Sequence, residues 1–186
     1  MTDLSRDGAK RALLLATNNA DKAREMGEIL SPLGFRLITP SELGVSVEVE
    51  ETGETFEENA RLKARAFCSA SGLPSIADDS GLCVDALGGA PGVYSARFGG
   101  VPTNEARRSY LLERMAETEP RGAKFVTCIV CAFPDGAELV AFGEERGEIL
   151  REPRGDSGFG YDPVFFYPPL GKTNAQMTPE EKNAVS

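Results

Sequence analysis

Ala12-Leu-Leu-Leu-Ala-Thr17 is a short, unbroken apolar run that stops at Asn18-Asn19 and passes straight into a helical pattern. A strand without alternation is buried on both faces, so helices must cover it. The helical pattern sets Ala23, Met26 and Leu30 on one side, and Pro32 with Gly34 ends it. Phe35-Arg-Leu-Ile-Thr39 reads as a second strand, and Val45 to Val49 as a weaker alternating segment. Strand, helix, strand commits this part of the chain to an α/β arrangement with helical crossovers.

The remaining elements follow from local signals. Thr55-Phe-Glu-Glu58 is a capping box, opening a helix that runs to about Ser71. Phe56, Ala60, Ala64 and Phe67/Cys68 recur on its core face, and Gly72 and Pro74 close it. Ser75-Ile-Ala-Asp-Asp79 predicts a short strand or strand end, followed by the Gly-rich stretch Leu87 to Tyr94. A helix begins near Thr103-Asn104 and turns Tyr110, Leu111 and Met115 inward. A long strand over 123–133 reverses at Pro134-Asp-Gly136 into a strand from Ala137 to about Phe142. After the Gly-rich loop 154–163, Thr178-Pro-Glu-Glu181 is a second capping box with Pro at the first helical position. The expected architecture is a mixed central β-sheet flanked by helices, with the site at the C-terminal edge of a strand.

Composition excludes several functions. The chain has 186 residues, 41% hydrophobic, which suffices for one compact core. Its formal charge of −9 argues against DNA or RNA as the main partner. No apolar run approaches the ~20 residues of a membrane span. Met1 to Gly8 lacks an apolar signal core, so a cytoplasmic protein is expected. The absence of His removes Ser-His-Asp and Cys-His catalysis and imidazole-bound zinc. Cys128 and Cys131 form a C-x-x-C inside a strand pattern, where residues three apart face opposite ways; we read them as small buried hydrophobes.

Three groups of residues carry candidate chemistry. Thr17-Asn-Asn-Ala-Asp-Lys22 leads from the first strand to a helix N-terminus, where amide N–H groups and the helix dipole favour an anion and Lys22 adds a charge. The same residues also read as an ordinary N-cap cluster with a surface lysine. A Walker A glycine is missing, since Phe166 stands where Gly171-Lys-Thr173 would require it. The dinucleotide fingerprint is absent after the first strand, and Gly155 to Phe159 misses a nucleophile elbow by one residue. The second group is acidic, Glu50-Glu51 and Asp78-Asp79. Mg²⁺ takes one or two carboxylates together with substrate phosphate oxygens, and only one of two neighbouring strand residues can face it. The third is Ser157-Gly-Phe-Gly-Tyr-Asp-Pro163, where glycines admit close backbone approach and Phe159 or Tyr161 offers a ring for stacking. A tight turn with core aromatics is the other reading.

These blocks together resemble the inosine/xanthosine triphosphate pyrophosphatases, the house-cleaning family that acts on noncanonical purine nucleotides. The resemblance runs in order through Leu15-Ala-Thr-Asn-Asn-Ala-Asp-Lys22, Glu50-Glu-Thr-Gly53, Thr55-Phe56, Glu58-Asn-Ala60 and Ala77-Asp-Asp-Ser-Gly-Leu82. It continues through Ala86 to Arg97, Gly158-Phe-Gly-Tyr-Asp-Pro163 and Glu181-Lys-Asn-Ala-Val-Ser186. It implies a homodimer whose subunits hold a nucleoside triphosphate in a cleft between two lobes, and hydrolysis of ITP, dITP or XTP to monophosphate and pyrophosphate with Mg²⁺. By matched position, Thr17, Asn18, Asn19, Ala20, Asp21 and Lys22 would hold phosphates with Lys63, Ser80 and Lys182. Glu50 and Asp79 would hold Mg²⁺, Asp79 would also serve as the base for water, and Phe159, Gly160, Tyr161 and Asp162 would take the purine. The family pattern commonly has Gly where this chain has Asp21. It also continues past Ser186 with a His-Arg pair and a helix, so we expect one domain over 1–186 with its last helix cut short. A nucleotide-sensing module without turnover, and a pyrophosphatase of the septum-inhibitor type acting on modified pyrimidine nucleotides, are the competing readings.

Overall fold

A computed structural model of the chain describes residues 11–185; the Met1 to Gly8 segment and Ser186 lie outside the described residues. The chain runs β1 (Ala12–Leu15), α1 (Ala20–Leu30), β2 (Arg36–Ile38), α2 (Pro40–Leu43), α3 (Phe56–Ser71), β3 (Ser75–Val84), α4 (Asn104–Arg114), β4 (Gly122–Ala132), β5 (Glu138–Ile149), β6 (Phe165–Tyr167), β7 (Lys172–Thr173) and α5 (Pro179–Val185). Seven strands form one sheet in the order β2-β1-β3-β4-β5-β6-β7. β1 lies parallel to β2 and β3, and every later pairing is antiparallel. The α/β class and the mixed sheet expected from the sequence are therefore found.

The local signals act as read. Thr55 and Glu58 form the reciprocal capping box of α3, and Gly72 closes that helix in the left-handed region at φ 69°. Thr178 and Glu181 do the same for α5. α3 turns Ala60, Ala64, Phe67 and Cys68 onto Leu14, Ala77, Cys128 and Val130 on one sheet face. Leu13, Leu15 and Ile76 face the other way, toward Met26 and Leu30 of α1. Cys128 belongs to the first face and Cys131 packs on the second, as strand parity requires. A further core joins Leu82, Val84, Leu111, Met115, Ile149, Tyr161, Val164 and Phe165.

Three segments differ from expectation. β3 does not end at Asp79 but continues to Val84, because β4 pairs with it in register from Ser75↔Ala132 to Val84↔Ala123. β5 runs on from Phe142 to Ile149 because β4 pairs with it from Glu138 to Glu148 and β6 takes up Ile149. Val45 to Val49 forms no strand; Val47 and Val49 instead pack against the α3-side core.

Candidate active site

The parallel pairing of β1 with β3 stops at Leu15↔Ile76. β1 then leaves the sheet through Thr17-Asn18-Asn19 into α1, while β3 continues. Asp78 and Asp79 are thus mid-strand residues of β3 just beyond the end of β1, rather than residues of a strand terminus. Both are almost fully buried.

Strand parity sends the two carboxylates to opposite faces, and each meets the helix that covers its face. Asp78 faces α1, where Lys22 Nζ lies 2.5 Å from Asp78 Oδ2. Ser80, two residues on and therefore on the same face, donates to that oxygen at 3.3 Å. Asp78 Oδ1 is buried without a hydrogen-bond partner among the described residues. Asp79 faces α3: Asn59 Nδ2 donates to Asp79 Oδ2 at 3.1 Å, and Lys63 Nζ stands 3.6 Å from Oδ1. Burial pushes the Asp79 carboxyl above its usual range, against the opposing pull of Lys63 and Asn59. Burial also works to lower the Lys63 ammonium, but its bond to Glu51 and the charges of Asp79, Glu51 and Asp78 outweigh that and raise it.

The acidic loop ahead of α3 reaches this pair through Glu51, whose Oε1 accepts from Lys63 Nζ at 2.6 Å. Glu50, the position matched to a metal ligand, is exposed and makes no side-chain hydrogen bond among the described residues. Asn59, fully buried, is the link the sequence reading missed: its Oδ1 accepts from Gly53 N at 2.8 Å while its amide holds Asp79. A polar residue beside the apolar stripe Phe56, Ala60, Ala64 was the available signal.

At the start of α1, Thr17 Oγ1 accepts from Asn19 N, and Asn19 Oδ1 accepts from Asp21 N and Lys22 N. The N-cap reading is realised, and the cluster still presents Asn18, Asn19 and Ala20 to solvent beside Lys22. Asp21 points outward, its side chain half exposed with Arg24 3.6 Å away.

The loop 158–162 closes on itself through Asp162 Oδ2, which accepts from Phe159 N at 2.8 Å and from Lys182 Nζ at 2.7 Å. Lys182, on α5, also donates to Glu25 of α1 at 2.8 Å and lies 4.9 Å from the Phe159 ring centroid. Burial works to lower the Lys182 ammonium, but Asp162 and Glu25 outweigh it and raise it. Tyr161 is not available for stacking. It is buried in the core with Val164 and Phe165, and its hydroxyl donates to Ser95 O at 2.9 Å. Burial drives that phenol up to about 12. Of the two rings proposed for a planar ligand, only the half-buried Phe159 has an accessible face.

The site therefore consists of three lysines, Lys22, Lys63 and Lys182, each beside a buried carboxylate. Lys22 of α1 and Lys63 of α3 stand beside Asp78 and Asp79 where β1 ends, and Lys182 of α5 joins Glu25 of α1 to the 158–162 loop. The Ham1 family profile matches residues 13–186. A dITP/XTP pyrophosphatase of Thermus thermophilus is 52% identical over 176 residues, covering 94% of this chain and 84% of that protein. Among solved structures, a HAM1 protein from Coxiella burnetii superposes with TM-score 0.85 at 43% identity, covering 95% of this chain and 91% of that one. The Staphylococcus aureus Ham1 protein gives 0.84 at 43% identity with the same coverage. With the profile spanning nearly all of the described sheet and helices, the chain belongs to the Ham1 family.

Proposed function

We propose that this chain, acting as one unit over its whole length, hydrolyses the α–β phosphoanhydride of ITP, dITP and XTP to the monophosphate and pyrophosphate with Mg²⁺. The observation that carries the reading is the pair Asp78-Asp79, divided between two sheet faces and set beside Lys22 and Lys63 where β1 ends. The name of the Thermus relative supports the substrate class.

The donor set fits a hard divalent cation. Asp79 Oδ1 lies on the α3 side, 3.6 Å from Lys63, whose ammonium is also reached by Glu51 of the acidic loop. Among the described residues no three Asp, Glu or Cys converge into a cage. Such a donor set suits Mg²⁺, which takes few protein carboxylates and fills its sphere with water and phosphate oxygens. Asp79 and Glu50 are the residues assigned to hold it, with Glu51 the acid of that loop that reaches the lysine. When bound, the cation supplies charge neutralisation at the phosphate oxygens.

The chain's own residues do the rest. Lys22, Lys63 and Lys182 donate to phosphate oxygens together with Ser80 and the Thr17 to Lys22 turn, offsetting the charge that develops on departing pyrophosphate. Asp79, held by Asn59 and facing Lys63, orients water and accepts its proton. Phe159 stacks on the purine, and the Gly160-Tyr161-Asp162 backbone lies along its edge. Discrimination against ATP comes from donors that pair with a 6-oxo group and leave a 6-amino group unpaired. We further propose a cytoplasmic homodimer; among the described residues no helix is long and apolar enough to cross a membrane.

Pyrophosphate release from ITP, dITP, XTP, ATP and a modified pyrimidine triphosphate, with and without Mg²⁺, tests the reading. Release from the 6-oxo purines that requires the metal is expected. Comparable kcat/KM for ATP and ITP would overturn the base selectivity. Binding without turnover would make the chain a sensor, and preference for the pyrimidine would move it to the other pyrophosphatase class.

A further inference from the structure

Glu145 is a carboxylate inside the protein that forms no salt bridge among the described residues. It lies on β5 with 4% of its surface exposed, opposite Phe125 on β4. Its neighbour Glu144 points outward and is held by Lys124 and Arg146. Glu145 Oε2 accepts from Asn174 Nδ2 at 2.9 Å. Its other oxygen, Oε1, is buried with no hydrogen-bond partner among the described residues, and so is Asn174 Oδ1. The charged groups acting on Glu145 are Asp162, from the 158–162 loop, and Lys182, from α5. Lys182 is already shared between Asp162 and Glu25.

Two unpaired acceptors on one hydrogen-bonded pair have a common remedy. A proton on Oε1 donates to Asn174 Oδ1 while Asn174 Nδ2 donates to Oε2, closing a two-bond carboxylic acid–carboxamide pair. An ionised Glu145 leaves Asn174 Oδ1 unpaired and sets a second negative charge near Asp162. Burial and Asp162 both push the Glu145 carboxyl up, and they outweigh the opposing effects of Asn174 and Lys182.

Asn174 also belongs to the short strap that grips the ring-binding loop. Thr173 Oγ1 donates to Arg154 O at 2.7 Å, Ser157 N to Ala175 O at 3.2 Å, and Ala175 N to Asp162 O at 3.3 Å. A Cβ on Gly155 would collide with the Ala175 backbone, so loop and strap are in close contact. We propose that Glu145 is a neutral carboxylic acid at neutral pH, and that its pair with Asn174 fixes the strap and so positions the Phe159 to Asp162 loop against the purine. Glu145 is thus a positioning residue; its effect on substrate rests on the function proposed above, whereas its protonation does not.

Infrared difference spectra of wild type and Glu145→Gln, with and without deuteration, read the protonation directly. An acid C=O stretch present in wild type at neutral pH, and missing from Glu145→Gln, is expected. Its absence, as for a charged Glu145 bridged by water, would overturn the proposal whatever the substrate proves to be. Gln reproduces both bonds of the acid, so Glu145→Gln should fold and keep KM for ITP near wild type. Glu145→Ala should raise KM roughly tenfold with kcat nearly unchanged. Because a raised carboxyl loses its stabilising contribution as pH rises, wild type should lose melting temperature relative to Glu145→Gln above the usual carboxylate range. Glu145→Gln failing to fold, or matching Glu145→Ala in KM, would refute the paired acid.

Discussion

Asn59→Ala isolates the connection between α3, the acidic loop and β3. Asn59 is fully buried, and its side chain makes two hydrogen bonds, one to the Asp79 carboxylate and one from Gly53 N. A bond to a charged group contributes ~1.5–3 kcal/mol and a neutral one about 1 kcal/mol, with the larger losses where the abandoned partner stays buried. Asp79 has little exposure and Gly53 is half-buried, so neither recovers full hydration. The expected loss is about 3 kcal/mol. For a chain of this size each kcal/mol lowers the melting point by about 2–4 °C, so the variant should melt roughly 6–12 °C below wild type. Thermal and urea unfolding of Asn59→Ala, Asp79→Asn and the double variant measure the loss and its coupling. The coupling between the two sites should be at least ~1 kcal/mol. An Asn59→Ala protein melting within about 2 °C of wild type, or a strictly additive double variant, would refute the argument.

Asp79→Asn alone should keep the fold yet lower kcat for ITP by ~10²-fold or more, read in a pyrophosphate-release assay; normal turnover would remove Asp79 from the chemistry. Tyr161→Phe loses the bond to Ser95 O and about 1 kcal/mol of stability by calorimetry, but should leave kcat/KM for ITP within about threefold. A collapse of ITP over ATP selectivity in that variant would return Tyr161 to the substrate. Glu138, at the start of β5, is held by Arg61 and Arg65 of α3, and these bonds lower its carboxyl pKa. A lowered pKa stabilises the fold above the usual carboxylate range and is lost as pH falls through the folded value. Glu138→Gln should therefore melt below wild type at pH 7, by about 1 kcal/mol, and converge with it in acid.

The parts of this molecule that sequence reveals are those decided within a few residues. The capping boxes at Thr55 and Thr178 and the left-handed Gly72 are short-range contracts between side chain and backbone, and each lies where expected. Strand parity likewise foretold that Asp78 and Asp79, or Cys128 and Cys131, would part to opposite faces. The lengths of β3 and β5 were not legible, because both are set by pairing with β4 and, at Ile149, with β6. Nor was it legible which of the two rings keeps an accessible face. Both rings adjoin Gly160, and it is packing against residues distant in sequence, such as Leu82 and Leu111, that buries Tyr161 and leaves Phe159 accessible. The choice between Glu50 and Glu51 at Lys63 depends on how the loop meets α3, which Asn59 fixes through Gly53.

An acidic protein that binds a polyphosphate follows from how its three lysines are neutralised. Lys22 has Asp78, Lys63 has Glu51 and Asp79, and Lys182 has Asp162 and Glu25. These groups are largely buried, where an unpaired charge is strongly unfavourable, so each acid keeps its lysine compensated before substrate arrives. A phosphate chain alone could take the lysines only by leaving Asp78 and Asp79 uncompensated, and a divalent cation alone would strand the lysines. Both together exchange partners: the lysines turn to phosphate while Asp79 turns to the cation, so less charge is left uncompensated than with either ligand alone. Pyrophosphate and Mg²⁺ should accordingly bind with positive coupling. Calorimetric titration of pyrophosphate with and without saturating Mg²⁺ should give affinities differing by at least ~10-fold, beyond the coupling of the two in free solution. Asp78→Asn, which keeps a polar side chain but removes the charge that holds Lys22, should strengthen pyrophosphate binding in the absence of metal. Equal affinities in both titrations of the wild type would mean that the lysines are free to receive phosphate from the start, and the paired-charge account of the site would fail.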